Sequence, residues 1–357
     1  MVKSKHLAVP LLSNPMDRSP MNDSPMNHSP STIAEPVALP VTTPEHDRVP
    51  LDRLRDLEDA IGETIRGKDE VVRLSLVCLL ARGHLLIEDV PGVGKTTLAS
   101  ALARGVKCRF HRLQCTSDML PSDIIGVTIY SPQATEFEFK PGPVFTNFLL
   151  ADEINRATPK TQSALLEAMN EHQVTVDART YPLDEPFMVI ATQNPAEHHG
   201  TYPLPESQLD RFLMKLEIGY PDRVSERAIL RGTARAASGG RAVIETSELI
   251  RLQRQVEAVA IDDALADYIL AIVERTRQHE GLTLGVSPRG AQALFRATQA
   301  LALVQGREYA LPDDVKRLAV PVFAHRVTVN ARGTLGRGPE AAKRVIQEIL
   351  TLVEVPL

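Results

Sequence analysis

A short glycine-rich loop constrains this chain more than any other feature. Asp-Val-Pro-Gly-Val-Gly-Lys-Thr, residues 89–96, follows an apolar run at 84–88 and precedes a helical pattern at 96–103. A strand, a tight loop and a helix in this order predict a phosphate-binding loop beside a parallel sheet. The backbone N–H groups of such a loop and of the helix N-terminus point at anionic oxygen.

The residue types in this loop suit phosphate chemistry. Gly92 and Gly94 lack Cβ, so the backbone can adopt positive φ and approach the phosphates. Lys95 would place a positive charge at the β- and γ-phosphates, and Thr96 would offer a hydroxyl to Mg²⁺. Asp89 replaces the first glycine of the strict motif, and we expect its side chain to point away from phosphate. The predicted nucleotide-binding residues of the loop are Asp89, Val90, Pro91, Gly92, Val93, Gly94, Lys95, Thr96 and Thr97.

Composition and charge argue against several classes of protein. The 357 residues include 45 acidic and 40 basic side chains, so no basic excess indicates a nucleic-acid partner. Three cysteines without metal-ligand spacing argue against a disulfide framework and fit a reducing cytoplasm. No apolar run has membrane-spanning length, and Pro10 interrupts the apolar patch near the N-terminus, which argues against a signal peptide.

The chain contains three stretches of different pattern. Residues 1–50 are rich in Pro, Ser, Asn and Met and carry a degenerate five-residue repeat at 16–30, so we expect a disordered tail. From 51 to 220, strand and helix patterns alternate, which predicts a parallel sheet covered on both faces. From 221 to 357 only helical patterns follow, which predicts a second, helical domain.

Two later strand patterns end in polar residues. Residues 148–153 form an apolar run that ends in Asp152 and Glu153, and residues 187–194 form another that ends in Asn194. After a phosphate loop, we interpret Asp152 as a Mg²⁺ site and Glu153 as the general base for an attacking water. Asn194 would position that water or touch the γ-phosphate. Taken alone, the same residues also fit solvated strand ends and an ordinary Asn-Pro turn.

Two arginines are further candidates. Arg211 lies between Asp210 and Phe212, and Arg289 opens a helical pattern after Ser287-Pro288. A guanidinium can stabilise charge that develops on a transferred phosphoryl group. Without context, Arg211 fits a surface salt bridge better, and Arg289 fits a solvated helix start equally well.

The order of these motifs resembles that of AAA+ ATPases and, among them, the MoxR family. The resemblance runs from about residue 51 to the C-terminus. It is carried by residues 88–98, 120–126, 142–145, 151–157, 160–162, 165–169, 191–195 and 200–206. It implies an α/β P-loop NTPase core, with a parallel sheet sandwiched by helices at 51–220, and a smaller all-α lid domain at 221–357.

The resemblance also implies roles for single residues. They are Lys95 and Thr96 in the Walker A motif, Asp152 and Glu153 in the Walker B motif, Asn194 as sensor 1, Arg211 as arginine finger and Arg289 as sensor 2. Ile65 to Gly67 resembles the segment that packs against adenine. Residues 115–145 resemble the family's insertion within helix 2, a hairpin-like element facing a central pore. Gln114 occupies the place of a polar residue that restrains Glu153 until a partner binds.

The function implied by the resemblance is ATP hydrolysis with Mg²⁺ by a ring, expected to be a hexamer, that remodels or matures a protein client. The family expectation for that client is a protein with a von Willebrand factor A domain, and metal-cofactor insertion is one such maturation. Two alternatives stay open at this point: a nucleotide-gated regulatory adaptor with little turnover, and a DNA-remodelling motor. The complete catalytic set argues against the adaptor, and the acidic balance argues against the motor.

Overall fold

The computed structural model describes residues 49–133, 135–194, 201–231, 242–330 and 338–356. The predicted tail up to residue 48, with its repeat, lies outside the described residues. So do residues 195 and 200, at the ends of two motif segments. Within the described ranges, no helix is both long and apolar enough to cross a membrane.

Two helices precede the sheet, α1 (Asp52–Thr64) and α2 (Asp69–Leu80). In α1, Leu54, Leu57 and Ile61 form the buried stripe. α2 is buried along almost its whole second half.

The core is a five-stranded sheet in the order β2-β5-β8-β1-β9. Its strands are β1 (Leu85–Glu88), β2 (Phe110–Gln114), β5 (Phe148–Asp152), β8 (Met188–Gln193) and β9 (Met214–Leu216). Every pairing in it is parallel, as predicted. The longer crossovers carry α3 (Lys95–Gly105) and α5 (Pro159–Glu171), which suits a parallel sheet.

Both faces of this sheet are buried, since successive residues of a strand point to opposite faces. On β1, Leu85 and Ile87 belong to a cluster with α1, α2 and α3, whereas Leu86 belongs to a second cluster with α5. The sandwich of helices around a parallel sheet that the sequence predicts is therefore confirmed.

Two β-hairpins leave the core between its strands. The first, within the range of the expected insertion, follows the short helix α4 (Pro121–Ile125) and pairs β3 (Gly126–Ser131) with β4 (Glu136–Pro141). The second pairs β6 (Gln173–Val176) with β7 (Arg179–Pro182) directly after α5. No pattern in the sequence predicted the second hairpin. The short α6 (Glu206–Leu209) precedes β9.

Helices dominate the chain after residue 221. They are α7 (Arg223–Leu230), α8 (Thr246–Glu257), α9 (Asp263–Gln278), α10 (Pro288–Val304), α11 (Pro312–Phe323) and α12 (Pro339–Leu352). The prediction of helices alone was wrong in one respect, since β10 (Leu282–Leu284) pairs antiparallel with β11 (Thr328–Val329). Such short strands, far apart in sequence, have no periodicity to recognise. α11 includes Pro321 in its last turn.

Candidate functional site

The glycine-rich loop joins the end of β1 to the start of α3. Gly92 has φ +85° and Gly94, which caps α3, has φ +100°. A Cβ atom at either position would meet nothing within 4 Å. The backbone conformation, rather than lack of space, therefore requires glycine at both positions. Lys95 and Thr96 lie in the first turn of α3, where free backbone N–H groups favour an anion.

Asp89 holds the loop to the chain that follows β9. Its Oδ2 accepts hydrogen bonds from the backbone N–H of Ile218 (2.8 Å) and of Gly219 (2.6 Å), and its Oδ1 accepts one from Val90 (2.7 Å). The carboxylate is thus turned towards Ile218 and Gly219, in line with the expectation that it points away from phosphate. Lys95 Nζ donates to the Asp89 carbonyl at 2.6 Å.

A cavity of about 310 Å³ lies between this loop and the start of the helical region. Its lining includes Ile65, Gly92, Val93, Gly94 and Thr97 from the predicted nucleotide site, together with Thr64, Lys68, Gly219, Pro221 and Ser225. Gly67 does not line it but supports its wall. A Cβ at Gly67, where φ is +70°, would lie 2.8 Å from Asp222 Oδ2, so the α1–α2 turn packs closely on the start of α7.

The two carboxylates of the acidic pair are both held in place. Asp152 is buried, and its Oδ2 accepts from Arg112 Nη2 at 2.6 Å. Glu153 adopts the left-handed conformation, with φ +56°. Its Oε2 accepts from Gln114 Nε2 at 3.1 Å and forms an ion pair with Arg156 Nε at 2.9 Å. Each acid is therefore paired with an arginine, and Gln114 contacts Glu153 directly; its restraining role stays a prediction.

Thr192 connects the two acids, although it was not among the site residues predicted from sequence. Its hydroxyl donates to Asp152 Oδ1 at 2.6 Å and accepts from the Glu153 N–H at 2.9 Å. The side chain is fully buried. A polar residue inside an otherwise apolar strand, two positions before Asn194, was the available signal.

The sheet brings the loop, the acidic pair and Asn194 to one edge. β8 pairs with β1 on one side and with β5 on the other. Because the carboxyl ends of parallel strands meet at the same edge, Asn194 at the end of β8 lies between the loop after β1 and the acids after β5. Asn194 is buried.

Arg211 and Arg289 lie close to one another, and neither lines the cavity. Burial and, next, the charge of Arg289 lower the pKa of Arg211, while Glu167 and Glu171 of α5 oppose this shift. Arg289 Nη2 donates to Asn170 Oδ1, also on α5, at 2.7 Å. The structure therefore places the two predicted arginines together against α5.

The residues present fit a nucleotide with Mg²⁺. Mg²⁺ is commonly bound by one or two carboxylates together with substrate phosphates, rather than by a cage of protein ligands. Asp152 and the Thr96 hydroxyl would supply such a partial donor set. Among the described residues, no group of three or more His, Cys, Asp or Glu side chains could hold a metal ion by itself.

Comparison with known proteins identifies the family. The sequence model of the ATPase family associated with various cellular activities (AAA) matches residues 84–214, and that of the AAA lid domain matches residues 274–349. The chain is 47% identical over 317 residues to the uncharacterized protein YeaC of Bacillus subtilis (strain 168), covering 85% of this chain and 97% of that protein. It is 43% identical over 313 residues to the chaperone MoxR1 of Mycobacterium tuberculosis, covering 84% and 82%.

A solved structure supports the same assignment. The crystal structure of a putative ATPase from Cytophaga hutchinsonii superposes with a TM-score of 0.77 at 37% identity, covering 86% of this chain and 96% of that one. The sheet order, the loop with its acidic pair and the relatives all agree. The chain belongs to the MoxR family of AAA+ ATPases.

Proposed function

We propose that this chain hydrolyses ATP with Mg²⁺ in a ring-shaped assembly and uses the reaction to remodel or mature a protein client. The observation that carries the proposal is the convergence of three strand ends on one sheet edge. They present a phosphate-binding loop, a buried amide and a carboxylate pair, which are the parts that phosphoryl transfer to water needs.

Each part has a distinct task. The loop N–H groups and Lys95 bind the phosphates, and the cavity beside Ile65 receives the base and sugar. Thr96 and Asp152 would hold Mg²⁺, which would neutralise charge on the phosphate oxygens. Glu153 accepts a proton from the attacking water, and Asn194 orients that water.

Glu153 is held away from this task until it is released. Both Gln114 and Arg156 contact its Oε2, so these contacts fix the orientation of the carboxylate and must shift if Glu153 turns towards the attacking water. Gln114 ends β2, immediately before the residues that lead into the β3–β4 hairpin. We propose that a client that binds this hairpin shifts Gln114 through the connecting segment and so releases Glu153 for hydrolysis.

The arginines act on the nucleotide of a neighbouring copy. Arg211 and Arg289 lie together beside α5, and neither lines the cavity of their own chain. A head-to-tail ring brings such a one-sided pair to the next subunit's phosphates, because each heterologous interface joins two different surfaces. We propose six subunits and a client with a von Willebrand factor A domain, with metal-cofactor insertion as one outcome.

Steady-state ATP hydrolysis by mixed assemblies tests the catalytic part. Glu153→Gln and Arg211→Ala are each expected to be inactive alone. Mixing them should restore activity at interfaces that join an intact Glu153 to an intact Arg211. If hydrolysis stays absent although labelled subunits exchange, Arg211 does not act on a neighbour.

The client is tested by purifying the Glu153→Gln protein from its native cells with ATP and identifying bound proteins by mass spectrometry. Since this variant should retain ATP, it should retain its client too. Recovery of a von Willebrand factor A protein or an immature metalloenzyme would support the proposal. Recovery of DNA or replication proteins would instead favour a DNA-remodelling motor.

A further inference from the structure

The helical region contains a buried, positively charged arginine, Arg326. Arg326 follows α11 and is only 5% exposed. Burial lowers its pKa to about 10, with Asp210 opposing the shift, so the group is still cationic at neutral pH. A buried charge persists only when its partners satisfy it, so the partners of Arg326 are informative.

The partners of Arg326 are concentrated on one short segment, Asp210–Leu213. Its Nε donates to Asp210 Oδ1 at 2.9 Å and its Nη2 donates to the Phe212 carbonyl at 2.6 Å. Its Nη2 also donates to the Asp210 carbonyl at 3.2 Å, and its Nη1 donates to the Leu213 carbonyl at 3.0 Å. The guanidinium thus fixes the backbone on both sides of Arg211. Nη1 also contacts the Val322 carbonyl and His325 Nε2.

A second contact joins the same segment to the start of α10. The Ser287 hydroxyl lies 3.1 and 3.0 Å from the two carboxylate oxygens of Asp210, to which it donates. The same hydroxyl caps α10 by accepting from the Gly290 N–H at 3.0 Å. A Cβ at Gly290 would lie 3.0 Å from Arg326 Cδ, so the stem of Arg326 packs under the first turn of α10.

We call Asp210, Ser287 and Arg326 the clasp. Arg211 directly follows one member of the clasp, and Arg289 is two residues after another. The clasp therefore holds the two arginines on one rigid support that belongs to the helical region as much as to the sheet.

We infer that Arg326 is a positioning residue for Arg211: through the clasp it presents Arg211 to the neighbouring copy's nucleotide and makes Arg211 move with the helical region. The inference rests on the proposed function of Arg211. It predicts that a substitution in the clasp lowers ATP hydrolysis only when the altered subunit supplies Arg211 to its neighbour, and not when it hydrolyses its own ATP. The same subunit's own loop, Asp152 and Glu153 do not contact Arg326.

Mixed assemblies separate these two roles. In the reference mixture, Arg211→Ala subunits hydrolyse ATP with the arginine of Glu153→Gln subunits. In the test mixture, the arginine donors carry Glu153→Gln and Arg326→Lys together. Lysine retains the charge but lacks the fork that reaches three carbonyls of the Asp210–Leu213 segment. A shift of about 1 Å at a reacting group can cost about a hundredfold, so we expect a loss of that order in restored activity.

A matched control uses an arginine on the helix that precedes Arg326. Arg317 of α11 forms an exposed ion pair with Glu70 of α2 and does not contact the Asp210–Leu213 segment. Donors that carry Glu153→Gln and Arg317→Lys should restore hydrolysis as fully as Glu153→Gln alone. Ser287→Ala donors provide a milder variant of the clasp and should show an intermediate loss.

The reciprocal mixture tests whether the effect is merely a loss of folding. Arg326→Lys subunits with intact Glu153 should hydrolyse ATP normally when Glu153→Gln neighbours supply the arginine, as Arg211→Ala subunits do. Equal loss in both roles, or full activity of the Arg326→Lys donors, would overturn the inference. If even the reference mixture fails, the trans role of Arg211 fails with it.

Discussion

Replacing Thr192 by valine should remove the hydrogen bonds that join Asp152 to Glu153, while the shape of the side chain at position 192 stays nearly the same. The hydroxyl makes two buried hydrogen bonds, one to the Asp152 carboxylate and one from the Glu153 N–H. A hydrogen bond to a charged group contributes about 1.5–3 kcal/mol, and an unsatisfied buried N–H costs about 1–3 kcal/mol. Thr192→Val should therefore lower the free energy of unfolding by about 4 kcal/mol.

Thr192→Ser is the matched control. Serine keeps the hydroxyl and loses one methyl group, whose burial contributes about 1 kcal/mol. The difference between the two variants, about 3 kcal/mol, isolates the hydrogen bonds. Urea unfolding followed by circular dichroism measures both free energies in the same buffer.

The valine and serine variants should also differ in their rate of ATP hydrolysis. Without the Thr192 bridge, Asp152 and Glu153 lose their fixed relation, so kcat for ATP hydrolysis should fall about tenfold or more in Thr192→Val. The apparent KM for ATP should change little, because Lys95 and the loop do not contact Thr192. Equal unfolding free energies and equal kcat values for the valine and serine variants would refute the reasoning.

Three further predictions concern the loop and a buried histidine. Lys95→Ala should abolish nucleotide binding in a fluorescent-ATP titration, and tight binding by this variant would rule out the phosphate-loop assignment. Asp89→Ala leaves the N–H groups of Ile218 and Gly219 without their acceptor, so it should cost about 3 kcal/mol in urea unfolding and weaken ATP binding; an unchanged midpoint would contradict this. Burial lowers the pKa of His84 from 6.5 to about 4, so the unfolded chain binds the proton first as pH falls. The protein should then lose about 3 kcal/mol of unfolding free energy from pH 6.5 down to 4. The His84→Gln variant should show a weaker pH dependence. An unchanged pH dependence in that variant would show that His84 is not its source.

Local sequence patterns were sufficient for the sheet and the ends of its strands. The apolar run before Asp152 and the loop before Lys95 are each short and continuous in sequence. Each shows where a strand ends and places a residue of suitable chemistry directly after it. Parallel order then follows from helices between strands, and parallel order brings the strand ends to one edge. The placement of the loop and the acids was therefore accessible without coordinates.

Two of the features that were missed join residues distant in sequence. Thr192 meets Asp152 and Glu153 only because β8 pairs with β5, and nothing near Thr192 in the chain indicates which strand is its neighbour. The β10–β11 pair has the same character, with two or three residues on each side and more than forty residues between them. In such cases tertiary packing, rather than propensity, selects the structure.

The interpretation of Arg211 and Arg289 needs both the local sequence pattern and the tertiary contacts. From residue type alone, Arg211 and Arg289 could be interpreted either as surface residues or as residues that bind phosphate. Their positions in the chain did not distinguish the two interpretations. Their proximity arises from Asp210, which binds the cap residue of α10 and the buried guanidinium of Arg326 at once. Because a buried charge is costly unless it is satisfied, a network of this kind is tolerated where it fixes a geometry. The geometry fixed here is that of the two arginines, so we expect them to act as one unit at the subunit interface.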